Sequence, residues 1–342
     1  MNGDRWATVL GFLGGLVVLA VVMWLVGIRE MLDALVSVER PMLVPVIFAN
    51  AVLWLAAWGM ALRTVLGTLG QSIAVHRAVL VFSAAVFSNN VTPFGQAGGE
   101  PVTAYLISEA TDSEYETGLA AIASVDALHF VPSLGFAAIG LVFVAVGDLG
   151  FDENVIYASA AVGALILAVP VAAYLGWRYR YELEAAVVRV FTPILQGFGR
   201  VVPRRNPPKV SVIERRIEAF FGAIDRVAGS RTTLLEAIGF SAFGWLLLCV
   251  SLWLSLFALG FNVSFAAVLL AVPMGAIAGI TPLPGGLGGV ESVLILLLVP
   301  TTGVGGAVIG AAVLVHRAAT YAFPTLLGGI VAFALGLGDR TD

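Results

Sequence analysis

A single cysteine, Cys249, stands in the 342 residues of this chain. It excludes an internal disulfide and a thiolate metal cluster, and inside an apolar run it reads as a small hydrophobe. Histidine is nearly as scarce, at three residues. An HExxH zinc motif, a P-loop, a GxSxG elbow and a GxGxxG turn in a strand-helix setting are all missing. The usual enzyme signatures are therefore absent, and the chain reads as a non-enzyme with no cofactor and no nucleic-acid partner. Charge is short as well: 12% of residues are charged and 59% apolar, against about a quarter and about half in a soluble domain. No soluble domain could hide so much apolar surface. With a mean hydropathy of +0.98 and several charge-free runs of about twenty residues, the chain reads as an all-α polytopic membrane protein.

The little charge there is has a direction. Residues 178–232 hold eleven of the eighteen Lys and Arg but five of the twenty-two Asp and Glu, a local +6 in a chain of net −4. Short basic loops stay on the cytoplasmic side, which puts this insert inside the cell. Candidate spans are 7–27, 43–66, 117–146, 154–177, 234–259 and 303–337, and two further apolar blocks, 78–108 and 263–300, are broken in the middle by Pro and Gly. Counting crossings outward from the insert places 28–42, 147–153 and 260–263 outside. It places 67–77, 109–116 and both termini inside, in a multi-pass protein of the plasma membrane. The first apolar run is longer than a signal-peptide core and lacks an Ala-x-Ala site, so a retained anchor is expected. Within the insert, Val210, Ile213, Ile217, Phe220, Phe221, Ile224 and Val227 recur at helical spacing with charges opposite. That pattern predicts an amphipathic helix at the inner interface, packed on the bundle or capturing anionic lipid.

The two broken blocks repeat one another. Thr92-Pro93-Phe94-Gly95-Gln96-Ala97-Gly98-Gly99-Glu100 meets Thr281-Pro282-Leu283-Pro284-Gly285-Gly286-Leu287-Gly288-Gly289-Val290-Glu291. The register persists beyond the motif, since Asp126 follows Glu100 at the same spacing at which Arg317 follows Glu291. Each half then holds three transmembrane helices plus one broken hairpin, 1–150 and 151–342 with the basic insert at 178–232. An odd number of crossings per half inserts the halves upside down to one another, giving two inverted repeats. Hairpin arms at 78–92 and 264–280 are short for a full crossing, which favours re-entrant hairpins.

Proline stops a helix and glycine accepts positive φ, so each motif forces an irregular turn between two half-helices. Such backbone is tolerated at bilayer depth only where protein buries it or a wet cavity adjoins it. The second half-helix is expected to start at the Gly pair, with Glu100-Pro101 in its first turn, a place that suits proline. Two helix N-termini would then converge on the protein centre, an arrangement suited to phosphate or carboxylate. On this basis Thr92, Pro93, Gly98, Gly99 and Glu100, with Thr281, Pro282, Gly285, Gly286, Gly288, Gly289 and Glu291, are candidate substrate-binding positions. Tight packing of the glycines and helix capping by Glu are the competing explanation.

Ionisable residues inside spans face a partner or a cavity, because lipid penalises them. Asp126 and His129 share a helix face, and His316 and Arg317 lie mid-span. Arg317 is the candidate cationic contact for a phosphate head group, its fork suiting bidentate recognition. A structural ion pair with Glu291 or Asp126 is the alternative. Glu100, Glu291 and Asp126 would serve as counter-ions or a proton site. Asp126, His129 and His316 are thus proton or ion-pair candidates, although for His129 a satisfied interior histidine is favoured over a proton shuttle.

The string GGEPVTAYLIS after a Thr-Pro turn, and TPLPGGLGGVES followed by Arg317, Tyr321, Pro324 and Gly328, resemble a family of flippase-like membrane proteins. That family is related to the N-terminal transmembrane region of lysylphosphatidylglycerol synthase. The resemblance runs from about residue 5 to 337. It implies that Gly98, Gly99, Glu100, Gly285, Gly286, Glu291, Arg317 and Pro324 are signature positions, and that the chain moves lipids between leaflets or serves lipid-linked glycan pathways. The chain departs from the pattern at Thr103, where relatives often have Arg, and at Ser124-Val125, where they often have Glu-Arg. No soluble aminoacyltransferase domain follows residue 337, so that reaction is not implied. The expected function is a flippase-like transporter of a lipid with an anionic head group, a phospholipid or polyprenyl phosphate. The alternatives are a carrier of a small soluble anion and a non-transporting partner in lipid-linked glycan assembly.

Overall fold

The structure, a computed structural model, describes residues 27–36, 38–92, 96–146, 210–279 and 283–337, with isolated positions at 20–24 and 160–182. The expected spans 7–27 and 154–177, the signal-like first run and most of the basic insert lie outside the described residues, as do Pro93, Thr281 and Pro282. Among the described residues every regular element is helical: α1 (Ile28–Val36), α2 (Leu43–Thr68), α3 (Val75–Val91), α4 (Gln96–Thr111), α5 (Tyr115–Val146), α6 (Val210–Gly229), α7 (Arg231–Ala258), α8 (Phe265–Ala278), α9 (Gly289–Thr302), α10 (Gly306–Arg317) and α11 (Phe323–Leu337). A 3-10 turn at Pro284–Gly286 precedes α9, and a π-helical turn at Ala318–Ala322 joins α10 to α11. Five stretches among the described residues are long and apolar enough to cross a membrane: Leu43–Thr68, Tyr115–Val144, Arg231–Ala258, Pro284–Thr302 and Gly306–Ala334. The protein is a multi-pass, all-helical membrane protein.

The central element is an antiparallel pair, α2 against α7. Leu62, Leu66, Leu252 and Leu256 are wholly buried there. Polar atoms with no water to turn to are matched across the seam. Asn50 Nδ2 donates to the Leu247 carbonyl at 2.7 Å, and Trp58 Nε1 donates to the Ser241 carbonyl at 3.2 Å. The hydroxyls of Thr68 and Thr233 meet at 2.5 Å. Both helices end alike. After α2 the Gln71 amide reaches back to the Leu66 carbonyl, with Gly70 at φ 81°; after α7 the Phe261 amide reaches the Leu256 carbonyl, with Gly260 at φ 93°. Each chain then turns under a side chain of its own helix: Arg63 Nε donates to the Ile73 carbonyl at 2.9 Å, and Trp253 Nε1 to the Val263 carbonyl at 3.1 Å. Ile73 and Val263 thus hold like places after α2 and α7.

The arms of each broken block pack against the other half of the chain. Helix α3 lies along α11 and α8 along α5. A glycine permits close backbone approach in both contacts, Gly328 against the Ser83 carbonyl and Gly140 against Ala266 and Leu270. The loops expected to share a side of the membrane also meet. Thr68 touches Thr233, Arg216 of α6 pairs with Glu116 at 3.2 Å, and the Arg40 amide donates to the Ala258 carbonyl at 3.0 Å. The segment 28–42, expected as a plain outer loop, instead carries α1, whose Met31 is buried. Glu30 in its first turn suits the helix dipole. Helix α6 forms over the amphipathic stretch, and its Ala223 and Val227 are buried in the bundle core.

Candidate functional site

The two broken blocks meet at a cavity of about 410 Å³. Its polar wall is built by α3, α4, α5 and α10, from Asn89, Asn90, Glu100, Asp126, His129 and Arg317. Its apolar wall comes from Val272, Pro273, Ala276 and Ile277 of α8 with Val290 and Leu294 of α9. Trp54, Trp58 and Trp245 close one end. Of the ionisable groups singled out in the sequence, Glu100, Asp126, His129, His316 and Arg317 line this one space, and Glu291 does not.

The two motifs, alike in sequence, act differently. Helix α9 starts at Gly289, so Glu291 falls at the third position of its helix and its Oε2 accepts the Gly288 amide at 2.7 Å. That closes the helix N-terminus with the chain's own carboxylate. Positive φ at Gly285, Gly286 and Gly288, 57°, 65° and 80°, gives the tight turn leading into it. Oε1 of Glu291 accepts from Arg317 Nε at 2.6 Å, and Arg317 Nη2 donates to the Gly285 carbonyl at 2.9 Å. The guanidinium also lies over the Tyr321 ring, 4.5 Å from its centroid. Glu291 is the ion-pair partner of Arg317, and neither Glu100 nor Asp126 pairs with it.

In the first motif the half-helix starts earlier than expected. Helix α4 begins at Gln96, not at the Gly pair, which moves Glu100 and Pro101 beyond the first turn. Glu100 is consequently no N-terminal cap. It lines the cavity without an ion pair among the described residues. Gly98 is half-buried in the first turn. Gly99 is pressed against Asn89, where an added Cβ would collide with both backbone and side chain. Thr92 caps α3, its hydroxyl donating to the Ser88 carbonyl at 2.7 Å. Of the candidate glycines, only Gly285 lines the cavity; Gly286 packs on Gly279 and Gly289 opens α9.

The histidines are held through one nitrogen each. His129 Nδ1 meets Ser241 Oγ at 2.6 Å, and its ring stacks on Trp58 at 4.1 Å between centroids. His316 Nδ1 meets Ser251 Oγ at 3.0 Å. Several buried polar atoms near the first motif have no partner at all: Asp126 Oδ2, His129 Nε2, Asn89 Oδ1, Trp54 Nε1, Ser124 Oγ and Thr103 Oγ1. The first four belong to residues that line the cavity. Buried polar atoms are nearly always satisfied, so such a cluster marks a place where a ligand or water completes the bonding. Asn89, Asn90 and the three tryptophans were missed in the sequence. The signal for the asparagines was present, as two adjacent amides at the end of an apolar helix just ahead of Thr-Pro.

Fold and cavity together define a multi-pass helical membrane protein with Glu100, Asp126 and Arg317 on the wall of one cavity. The family model for the lysylphosphatidylglycerol synthase TM region matches residues 11–328, and the chain belongs to that family. It is 25% identical to a UPF0104 membrane protein of Methanothermobacter thermautotrophicus over 97% of this chain and 94% of the relative. A second protein of that organism with the same description is 24% identical over 92% of this chain and 91% of its own length. UPF0104 membrane protein PH1989 of Pyrococcus horikoshii is 23% identical over 93% and 94%.

Proposed function

We propose that the chain is a flippase-like transporter that moves a lipid with an anionic head group, a phospholipid or polyprenyl phosphate, between the leaflets of the plasma membrane. The observation that carries this reading is the mixed lining of one cavity, with polar side chains from α3, α4, α5 and α10 and apolar ones from α8 and α9. Its volume falls within the roughly 300–1,000 Å³ of ligand sites, enough for a head group but not for a two-chain lipid entire. The polar wall offers Arg317, which spends two of its five N–H donors on Glu291 and Gly285 and still borders the cavity. The unpartnered Trp54 indole N–H adds a further donor, and Asn90 Nδ2 keeps a second N–H beyond the one it gives to Thr325 Oγ1 at 2.7 Å. The apolar wall of α8 and α9 suits the carbons next to the head group, a feature that a carrier of a small soluble anion does not need.

Two inverted repeats, 1–150 and 151–342, with re-entrant hairpins α3–α4 and α8–α9, form part of the proposal. In support, α2, α3, α4 and α5 are matched in order by α7, α8, α9 and the α10–α11 pair. Tyr115–Val146 and Gly306–Leu337 are equal in length and are separated by the same interval as Glu100 and Glu291. The swapped contacts α3–α11 and α8–α5 match as well. The hairpin arms α3, α4 and α8 have 17, 16 and 14 residues, at 1.5 Å rise short of an approximately 30 Å hydrocarbon core. Rocking of one repeat against the other would expose the cavity to each leaflet in turn. Both termini are assigned to the cytoplasm with the basic insert.

Reconstituted protein tests this. Fluorescent phosphatidylglycerol should equilibrate between leaflets faster than a fluorescent glycolipid with an uncharged head group, and Arg317→Lys, which keeps charge but loses the fork, should slow it. Equal rates for both lipids and both proteins would refute the anionic specificity; uptake of inorganic phosphate with no lipid movement would favour a soluble-anion carrier.

A further inference from the structure

We infer that Glu100 and Asp126 form a proton site in this cavity, so that each anionic head group crosses together with a proton; this rests on the transport role proposed above and names what accompanies the lipid. Arg317 and Glu291 cancel one another at 2.6 Å. What remains on the cavity wall is two carboxylates without an ion pair among the described residues, Glu100 on α4 and Asp126 on α5, close enough for their charges to interact. Asp126 is only 8% exposed, and its Oδ2 has no hydrogen-bond partner.

The elements around the pair supply little countercharge. Helix α5 also contributes His129 and α10 contributes His316 and Arg317, while Glu291 of α9 and Tyr321 of the π turn are held against Arg317. Helix α3 presents amides only, while α7 and α8 present Trp245, Leu248 and apolar side chains. Tyr115, at the start of α5, is within reach of the Glu100 charge, and Glu116 beside it is engaged with Arg216. No second cation among these residues balances Glu100 and Asp126. An anionic head group entering beside two bare carboxylates meets like charges in a medium that screens poorly, which is strongly unfavourable. A proton on the pair removes one charge and converts an acceptor into a donor. The unpartnered Asp126 Oδ2 is where that donor belongs, and the unpartnered His129 Nε2, one helical turn on, provides a relay along the same face.

The coupled step transfers a monoanion plus a proton and so moves no net charge. The test uses the full chain in liposomes carrying fluorescent phosphatidylglycerol. An imposed gradient of one pH unit should enrich the lipid about tenfold in the leaflet facing the alkaline side, at one proton per lipid. A potassium-valinomycin potential should leave the distribution unchanged, and a sodium gradient likewise. Glu100→Gln and Asp126→Asn should lose the pH response. Because those variants could also fold poorly, an infrared pH-difference spectrum of the wild-type protein in nanodiscs is recorded without any transport. A protonated-carboxyl band that is lost in either folded variant supports the site. Lipid that moves but answers to voltage or sodium and not to pH overturns the inference while leaving transport intact. No lipid movement removes the transport role, and the infrared band then decides the proton site by itself: its absence overturns the site.

Discussion

Replacing Arg317 should cost more than replacing its partner, and the size of the difference follows from where each charge sits. Glu291 is almost sealed, its side chain 3% exposed, whereas that of Arg317 is 15% exposed and borders the cavity. Arg317→Ala strands a buried carboxylate, for which a loss of about 3–5 kcal/mol is expected. Glu291→Gln leaves a cation that cavity water can reach, and its amide oxygen can still accept the Gly288 amide, so about 1–3 kcal/mol is expected. Glu291→Ala adds the loss of that cap, about 1 kcal/mol more. The double replacement Arg317→Ala with Glu291→Gln should be milder than the sum of its parts by about 2 kcal/mol, because neither charge is then stranded. Thermal unfolding of the four proteins in one detergent, followed by tryptophan fluorescence and completed as a double-mutant cycle, reads all of these. Additive losses, or a larger loss for Glu291→Gln than for Arg317→Ala, would contradict the pairing and the burial from which the magnitudes were worked.

Gly328→Ala should destabilise by about 1–3 kcal/mol, since the new methyl would run into the Ser83 carbonyl of α3; an unchanged melting temperature would mean that α3 and α11 do not pack so closely. Gly99→Ala should have a similar cost through collision with Asn89, and should distort the first hairpin enough to abolish lipid movement. Asn50→Leu removes the bond to the Leu247 carbonyl across α2 and α7 and should lower stability by about 1–3 kcal/mol in the same unfolding assay. Cys249, buried in α7, should resist maleimide in the folded protein and react only after denaturation.

Much of this was legible in the sequence because bilayer constraints act on local patterns. Apolar run length gave α2, α5 and α7, and the Pro-Gly interruptions fall between α3 and α4 and between α8 and α9. Counting crossings put 109–116 and the basic insert on one side, and Glu116 of the one does pair with Arg216 of the other. The unlike roles of the two motifs were harder to see. Both read GG then Glu, yet α4 starts ahead of its Gly pair while α9 starts on the last glycine, so one Glu lines the cavity and the other caps a helix. That choice depends on how each turn packs, which no spacing encodes. In the same way, three carboxylates were open to Arg317 in the sequence, and the 3-10 turn that carries the Gly285 carbonyl to its fork selects Glu291. Trp54, Trp58 and Trp245 looked like any aromatic in an apolar helix, since only the antiparallel seam of α2 and α7 turns them to one end of the cavity.

Filling the cavity tests most directly whether it is the path of the head group. Ala276 lies on its apolar wall, is exposed, and has no part in the charged network. Ala276→Trp should occupy much of the 410 Å³. In proteoliposomes with matched protein content and melting temperature, it should reduce phosphatidylglycerol movement at least tenfold, an estimate from the loss of a fitted binding space of more than about 1.4 kcal/mol. Movement at the wild-type rate through a plugged cavity would contradict the central claim.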